Sequence, residues 1–328
     1  DPLSLKDLLL QYGTPIENMP SKEFNILCRN LGHRVINAIN NVSVVTPHAL
    51  VAAAVLNCAK KSFSFDHIMS HVETYMNYLL SQKAKLADTL ILDPVNTIEH
   101  VLDTYVQRKF IDKATKDPGD LLTDALFKIN ENKRPNLEYY KNNCISFFVP
   151  AAIAALSILV KDAFQFSASD LHADYNFLQY LFKYEFAYDV DKTPEYFVRK
   201  NLKAFIDEAI LMPHPKLPDT YNLTSFGFRK LQLFSRFLKP YFESYWIVLN
   251  YFMKYPQNSI KAKERLKKIE TIGNHMYKKK EIERKEALSI INYNNGIEFF
   301  TYNGVKGSDD NEKILFYADG IHKYLNCL

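Results

Sequence analysis

The order of apolar and polar positions along this chain is mostly that of a helix. From Ser21 the apolar residues Leu27, Leu31, Val35 and Ile39 recur at i+4, which places them on one helical face. Thr46-Pro47 is a start signal, a hydroxyl cap with proline at the first helical position. It opens an Ala-, Val- and Leu-rich run from His48 to Ala59 that reads as a buried helix. A further helix is marked by Ile68, Val72, Tyr75, Met76, Leu79 and Leu80. Asn96-Thr97-Ile98-Glu99 has the form of a capping box, followed by the amphipathic face Ile98, Val101, Leu102, Tyr105 and Val106. Residues 1–20, with Pro2, Gly13-Thr14-Pro15 and Pro20, read as loop.

After each of several helices the period shortens. Phe110-Ile111, the turn Asp117-Pro118-Gly119-Asp120 and Ala125 to Ile129 predict a hairpin. Ile210-Leu211, a Pro-rich loop at 213–218 and Tyr221 to Thr224 predict a second. A third is expected where Ile297, Phe299 and Phe300 end at a left-handed cap, Asn303-Gly304, before a loop from Lys306 to Lys313 and a strand Ile314 to Tyr317. The expected fold is therefore mainly α, multi-helical, with two or three short β-hairpins in winged-helix-like units. The expected division is 1–20 as linker or end of a preceding domain, 21–165 as an N-terminal helical subdomain and 166–328 as a C-terminal one.

Two stretches are chemically distinctive. Cys144 to Val160 is apolar apart from two serines and is broken by Pro150. As a helix it would reach about 25 Å, short of the roughly 30 Å of a bilayer core. A buried core helix is the first reading, and a membrane-embedded or interfacial one stays open. Residues 240–254 follow the same logic, with Tyr241, Tyr245, Val248, Leu249 and Phe252 on one side. Beyond them, Ser259 is read as the cap of a basic helix. Lys261 to Lys285 holds ten Lys or Arg and four Glu around the stripe Leu266, Ile269, Ile272 and Met276. A solvated face is the plain reading, and contact with an anionic membrane surface through Lys267, Lys268, Lys278, Lys279, Lys280 and Arg284, joined by Phe147 and Phe148, is the functional one.

Composition narrows the chemistry. Apolar residues make up 47% and charged residues 24%, which fits a folded protein. Nine glycines in 328 residues leave no G-x-G-x-x-G and no P-loop. The four cysteines, Cys28, Cys58, Cys144 and Cys327, are scattered without C-x-x-C spacing, so no zinc site is expected. A formal charge of +4 does not demand nucleic acid. His67 and His71 sit at i,i+4, yet no H-E-x-x-H accompanies them. His172-Ala173-Asp174 is too short for an H-x-x-x-x-D acyltransferase box, in which an Asp orients a His general base. His214-Pro215-Lys216-Leu217-Pro218-Asp219 matches that box in form, but its two prolines and loop setting argue for coincidence. No catalytic residue is assigned.

Five stretches carry a resemblance. Pro2 to Leu8 resembles the G-E-P-I-S-L-x-x-Y-L segment that closes the acyltransferase domain of the membrane-type bacterial glycerol-3-phosphate 1-O-acyltransferases. Leu31 to Asn40 with Val44 to Ala52 resembles that family's R-V-x-x-x-I-N-x-x-x-x-V-T-P-x-x-L-V-A. Leu137-Glu138-Tyr139-Tyr140-Lys141-Asn142-Asn143-Cys144-Ile145 resembles its T-Y-Y-R-N-N-I element, which precedes an apolar helix. Leu238 to Trp246 resembles L-x-P-x-L-E-S-Y, and Ala287 to Val305 its last helix-and-glycine unit.

The resemblance implies a C-terminal region whose parent esterifies the sn-1 hydroxyl of glycerol 3-phosphate from acyl-ACP or acyl-CoA, in phospholipid biosynthesis. It implies a location at the cytoplasmic face of a membrane, no metal or organic cofactor, and an acyltransferase domain preceding Asp1 as partner. The catalytic box would lie in that domain, so this chain alone is expected to be inactive. Tyr139, Tyr140, Lys141, Asn142 and Asn143 are expected to cap or anchor the apolar helix. The rival reading is a non-enzymatic winged-helix scaffold for nucleic acid or a protein. The helix Ile290 to Ile297 carries too little positive charge for a nucleic-acid reader.

Overall fold

Helices dominate the computed structural model, which describes residues 9–10, 16–114, 125–256, 261–305, 307–308 and 310–328. Helix α1 (Ser21–Val42) forms as its period predicts, but its stripe is not a core face: Leu27 alone is buried, while Val35 and Ile39 are 41% and 57% exposed. The helix runs over the surface, held by an Arg34–Asp191 ion pair at 2.6 Å and by Arg29 lying over the Tyr184 ring. A short strand β1 (Val44–Val45) leads from it into α2 (Pro47–Asn57).

Thr46 caps α2 by accepting from the Ala49 amide at 3.3 Å, and every residue from Ala49 to Asn57 is buried. Strand β2 (Ser62–Ser64) passes into α3 (Phe65–Ser81), with the Ser64 hydroxyl accepting from the His67 amide. The link beyond α3 folds into β3 (Lys85–Leu86), which pairs in parallel with β1, and a short α4 (Asp88–Leu92). Helix α5 (Pro94–Gln107) starts before the expected capping box. Asp93, not Asn96, is the cap, because it accepts from the Asn96 amide at 3.3 Å and is followed by a proline with its φ preset. The face Ile98, Val101, Leu102 and Tyr105 is buried as predicted.

The first hairpin, β4 (Ile111–Ala114) and β5 (Leu126–Ile129), takes β2 as its third strand, in the order β2-β5-β4. The expected turn at 117–120 lies outside the described residues. Helix α6 (Arg134–Asn142) packs back onto α2. The same succession then repeats: α7 (Ile145–Leu159), β6 (Gln165–Ser167), α8 (Ser169–Leu181), α9 (Pro194–Asp207), β7 (Leu211–Pro213), β8 (Thr220–Leu223) and α10 (Gly227–Ser235). Its sheet order is β6-β8-β7, and α10 packs on α7 as α6 packs on α2.

Helix α7 is the apolar run, and it is a core helix. Twelve of its residues, from Ile145 to Leu159, are buried, and Phe148 stacks on Phe237 with centroids 4.8 Å apart. Each fully buried Leu, Ile or Phe there stabilises the fold by roughly 1.5–3 kcal/mol. No single helix among the described residues is long and apolar enough to cross a membrane, and α6 and α7 meet at 98°.

A last group of helices completes the chain: α11 (Lys239–Lys254), α12 (Ala262–Lys278), α13 (Ile290–Tyr302) and α14 (Asn311–Leu325). Helix α11 is covered on nearly all sides by the other three. Gly304 closes α13 at φ +75, the left-handed cap the sequence predicts. The third hairpin is not formed among the described residues. Ile314 to Tyr317 lies within α14, where Ile314, Tyr317, Ala318 and Ile321 repeat at helical spacing and are buried, a longer-range pattern that overrides the short apolar run.

Candidate functional site

The family-like element Tyr139 to Asn143 divides into two parts with different surroundings. Lys141 is only 1% exposed, with Nζ 2.7 Å from the Glu138 carboxylate. Beside it Arg134 donates through both Nε and Nη2 to the Glu286 carboxylate, each at 2.9 Å. Burial pushes the Glu138 carboxyl up, against the pull of Lys141. Burial works the same way on Glu286, but the Arg134 fork overcomes it and holds that carboxyl below its ordinary value. Tyr140 Oη accepts from Arg108 at 2.8 Å, while Tyr139 is exposed.

Asn142 and Asn143 are exposed, and neither caps the apolar helix. The residue at the α7 cap is Cys144, with no side-chain bond to the helix. Both asparagines instead line a cleft of about 600 Å³ between α1, the α6–α7 corner and the two links that follow α3 and α8. Its roof is Asn37, Asn40 and Asn41 from α1, and its far wall runs from Glu185 to Asp189. Lys200 reaches it from α9, with its ammonium lowered by burial and partly restored by Asp189. Pro150 also lines the cleft, and having no amide hydrogen it leaves the Ser146 carbonyl without its helical donor.

Under the cleft, burial pushes the Glu185 carboxyl up to about 7. Asn295 donates to one of its oxygens at 2.9 Å, and the other oxygen has no partner among the described residues. This is a hydrogen-bonding cleft of amides, hydroxyls and ammonium groups. Among the described residues no histidine lines it. Asn40 closes the family-like R-V-x-x-x-I-N stretch, but no sequence pattern joins it to Asn37 and Lys200, which meet only when α1 crosses the surface.

The other candidates fall elsewhere. Phe148 is fully buried, and Arg284 is half-buried and tied inward, donating to the Leu56 carbonyl at 3.1 Å. Lys268 stands over the Tyr255 ring and near Glu264, while Lys267, Lys278, Lys279 and Lys280 are exposed and Phe147 is half-buried. The stripe beneath them, Ile269 and Met276, is buried; the expected cap Ser259 lies outside the described residues. His214 and Asp219 do not act together. His214 Nδ1 accepts from the amides of Lys216 and Leu217, and Asp219 meets Arg199 at 3.2 Å. The rings of His67 and His71 lie 4.7 Å apart, with no carboxylate or thiol grouped around them for a metal among the described residues. Asp174 is engaged by Lys161, Lys323 and Tyr324.

The Leu238 to Trp246 element is structural in its contacts. Glu243 accepts from the amides of Glu283 and Arg284, at 3.1 and 2.8 Å, and Ser244 donates within 2.8 Å of the Pro240 and Ala287 carbonyls. Together with Arg134–Glu286, these bonds fasten the segment 283–287 between α6 and α11.

Against known proteins, residues 1–309 match the family described as the glycerol-3-phosphate acyltransferase C-terminal region. The glycerol-3-phosphate acyltransferase of Pasteurella multocida (strain Pm70) is 24% identical over 173 residues, which are 50% of this chain and 20% of that protein. The putative acyltransferase plsB1 of Mycobacterium tuberculosis (strain ATCC 25618 / H37Rv) is 26% identical over 159 residues, 48% of this chain and 24% of that protein. The matched segments thus span no more than a quarter of these relatives. With its length matched almost throughout, the chain belongs to the family of glycerol-3-phosphate acyltransferase C-terminal regions.

Proposed function

We propose that this chain is the non-catalytic helical region of an enzyme that esterifies the sn-1 hydroxyl of glycerol 3-phosphate, drawing the acyl group from acyl-ACP or acyl-CoA for phospholipid synthesis. The family match over residues 1–309 carries this reading. The two helix–hairpin units, winged-helix-like in strand order, serve as a rigid scaffold. The acyltransferase domain rests on α1, whose Phe24, Val35, Ile39 and Val42 form an exposed apolar stripe on a helix that buries one residue. The exposed Lys267, Lys278, Lys279 and Lys280 face the anionic cytoplasmic side of a membrane, at about 1 kcal/mol for each engaged cation.

One preparation of the full-length parent tests both parts. Ester formation from glycerol 3-phosphate and a palmitoyl thioester should need the full-length protein. It should fall at least tenfold in Ile39→Asp, a change at an exposed site that leaves the melting temperature of this chain alone unaltered. Sedimentation with phosphatidylglycerol vesicles should weaken when Lys278, Lys279 and Lys280 are all changed to Ala, and with rising salt. Turnover by this chain alone that vanishes in His214→Ala would overturn the non-catalytic assignment.

A further inference from the structure

Helix α1 roofs a second cleft, of about 860 Å³, on the opposite side of its Arg34–Asp191 tie. The floor comes from α12 and α13 and the side wall from Tyr184 in the link after α8. Its polar groups have one sign in excess. Lys22 and Arg29 descend from α1, Arg265 rises from α12, and Lys183 stands beside Tyr184. Among the described residues Glu298 is the single carboxylate in the lining. Among the described residues none of these four cations makes an ion pair.

Two features set this cleft apart from a solvated basic surface. Lys183 is enclosed by rings: its Nζ lies 3.8 Å from the Tyr302 centroid and 4.2 Å from that of Tyr180, with Tyr184 at 5.1 Å. Arg29 sits 4.7 Å over Tyr184, so aromatic faces fix the direction of both cations. The second feature is an unmet donor. Arg265 Nε is buried and has no hydrogen-bond partner among the described residues. A buried donor left unmade costs about 1–3 kcal/mol, which an incoming acceptor would recover. Burial, and then Arg29, lower the Lys183 ammonium to about 8, against the partial pull of Glu298.

We propose that this cleft binds the phosphate group of a phosphate monoester. Two guanidinium forks and the Lys22 ammonium line the cleft, and Lys183 packs on the Tyr184 and Tyr302 rings of its wall. A lone carboxylate offers two oxygens and a single charge, which leaves most of that array unpaired. A phosphate monoester offers three oxygens and close to two charges at neutral pH, and arginine forks meet such oxygens in pairs. Asn25, Asn294 and Thr301 add neutral hydrogen-bonding groups at the rim for whatever the phosphate is esterified to. The assignment rests on this geometry and is independent of the acyl-transfer reading.

The phosphate can belong to a free ester or to a lipid headgroup, and two arms of one experiment separate these sources. In the first, this chain is titrated calorimetrically with inorganic phosphate. In the second, it is floated with vesicles of phosphatidylcholine, with and without phosphatidic acid. Saturable phosphate binding that weakens at least tenfold in Arg265→Gln and in Lys183→Gln, but not in Lys279→Gln, supports the site and a free ester. Flotation with phosphatidic acid that is lost in the same two variants and kept in Lys279→Gln supports the site and a lipid headgroup. Lys183→Arg should retain binding in either arm. Melting curves guard against misfolding, and the exposed Lys22→Gln reads out the same site if Arg265→Gln does not fold. Absence of binding in both arms, or equal losses in the cleft variants and in Lys279→Gln, would overturn the proposal.

Discussion

The two helix–hairpin units share a topology and differ in where they place polar groups. In each, a helix buried nearly all round, α2 or α7, is followed by a strand, a helix, a second helix opened by a capped proline, a hairpin and a closing helix. The difference lies in the link between the two middle helices. In the first unit it folds into β3 and α4, leaving Lys85 exposed. In the second, residues 182–191 form an irregular aromatic segment that buries Glu185 and Tyr188 and walls both clefts. The hairpins repeat, while the links diverge. That is the expected division between a scaffold, whose cores must be refilled alike, and loops that are free to take on binding groups.

The closing helices also differ, and this gives the largest expected effect. In the first unit α6 is locked by the buried Arg134–Glu286 and Glu138–Lys141 pairs, whereas α10 is held mainly by apolar packing, by the Tyr75 hydroxyl donating to the Leu233 carbonyl at 3.3 Å and by a partly exposed Lys230–Glu208 pair at 3.4 Å. Arg134→Ala strands the buried Glu286 carboxylate, so the chain should lose about 3–5 kcal/mol of stability. The urea midpoint measures it. A loss below about 1 kcal/mol would mean that α6, like α10, is held by packing, and the contrast between the units would disappear.

Much of this comparison can be read in the sequence, and the unread part has physical causes. Thr46-Pro47, the face Ile98 to Tyr105 and both real hairpins follow from capping chemistry and period alone. The repeat itself is invisible in residue identity, because the two cores are filled differently: Tyr105 and Phe205 end equivalent helices, and Val101 is matched by a buried Asn201 that accepts from Tyr78 at 2.9 Å. Lys141 and Glu138 look like surface residues because burial of a charge depends on a partner, and in Arg134's case that partner lies far along the chain at Glu286. Neither cleft has a local pattern. Each depends on α1 crossing two links, and α1 resembles an ordinary amphipathic helix whose apolar side would be expected inward.

The link itself supplies a smaller, pH-dependent effect. Glu185 is raised to about 7 by burial, against the hydrogen bond from Asn295. A carboxyl raised in the folded state binds its proton more tightly there than in the unfolded chain. Its contribution is therefore fully favourable below the unfolded value near 4.3 and is lost as pH rises towards 7. Glu185→Gln removes the ionisable group. It should stabilise the chain on the order of 1–3 kcal/mol at pH 8 and leave it nearly unchanged at pH 4. Glu243 carries a similar shift, so the comparison is made between variant and wild type at each pH. A difference that does not change with pH would show that Glu185 is solvated, and that the second link is no more buried than the first.

The smallest effect tests the repeat most directly. Helices α5 and α9 end in the same way: Lys109 and Ala209 both adopt the left-handed region, at φ 56 and 52. The next amide in each then donates back at 2.8 Å, Phe110 to the Tyr105 carbonyl and Ile210 to the Phe205 carbonyl. That closure turns the chain into β4 or β7, and it favours glycine, which neither unit has. A non-glycine residue there carries about 1–2 kcal/mol of steric cost, part of which glycine returns to the unfolded chain as entropy. Lys109→Gly and Ala209→Gly should therefore each raise stability by about 0.5–1 kcal/mol, and the two gains should add in the double variant because the turns belong to separate hairpins. Melting temperatures at fixed pH measure this. A gain in one unit and a loss in the other would show that the two turns are held by different contacts, and that the likeness of the units stops at their strand order.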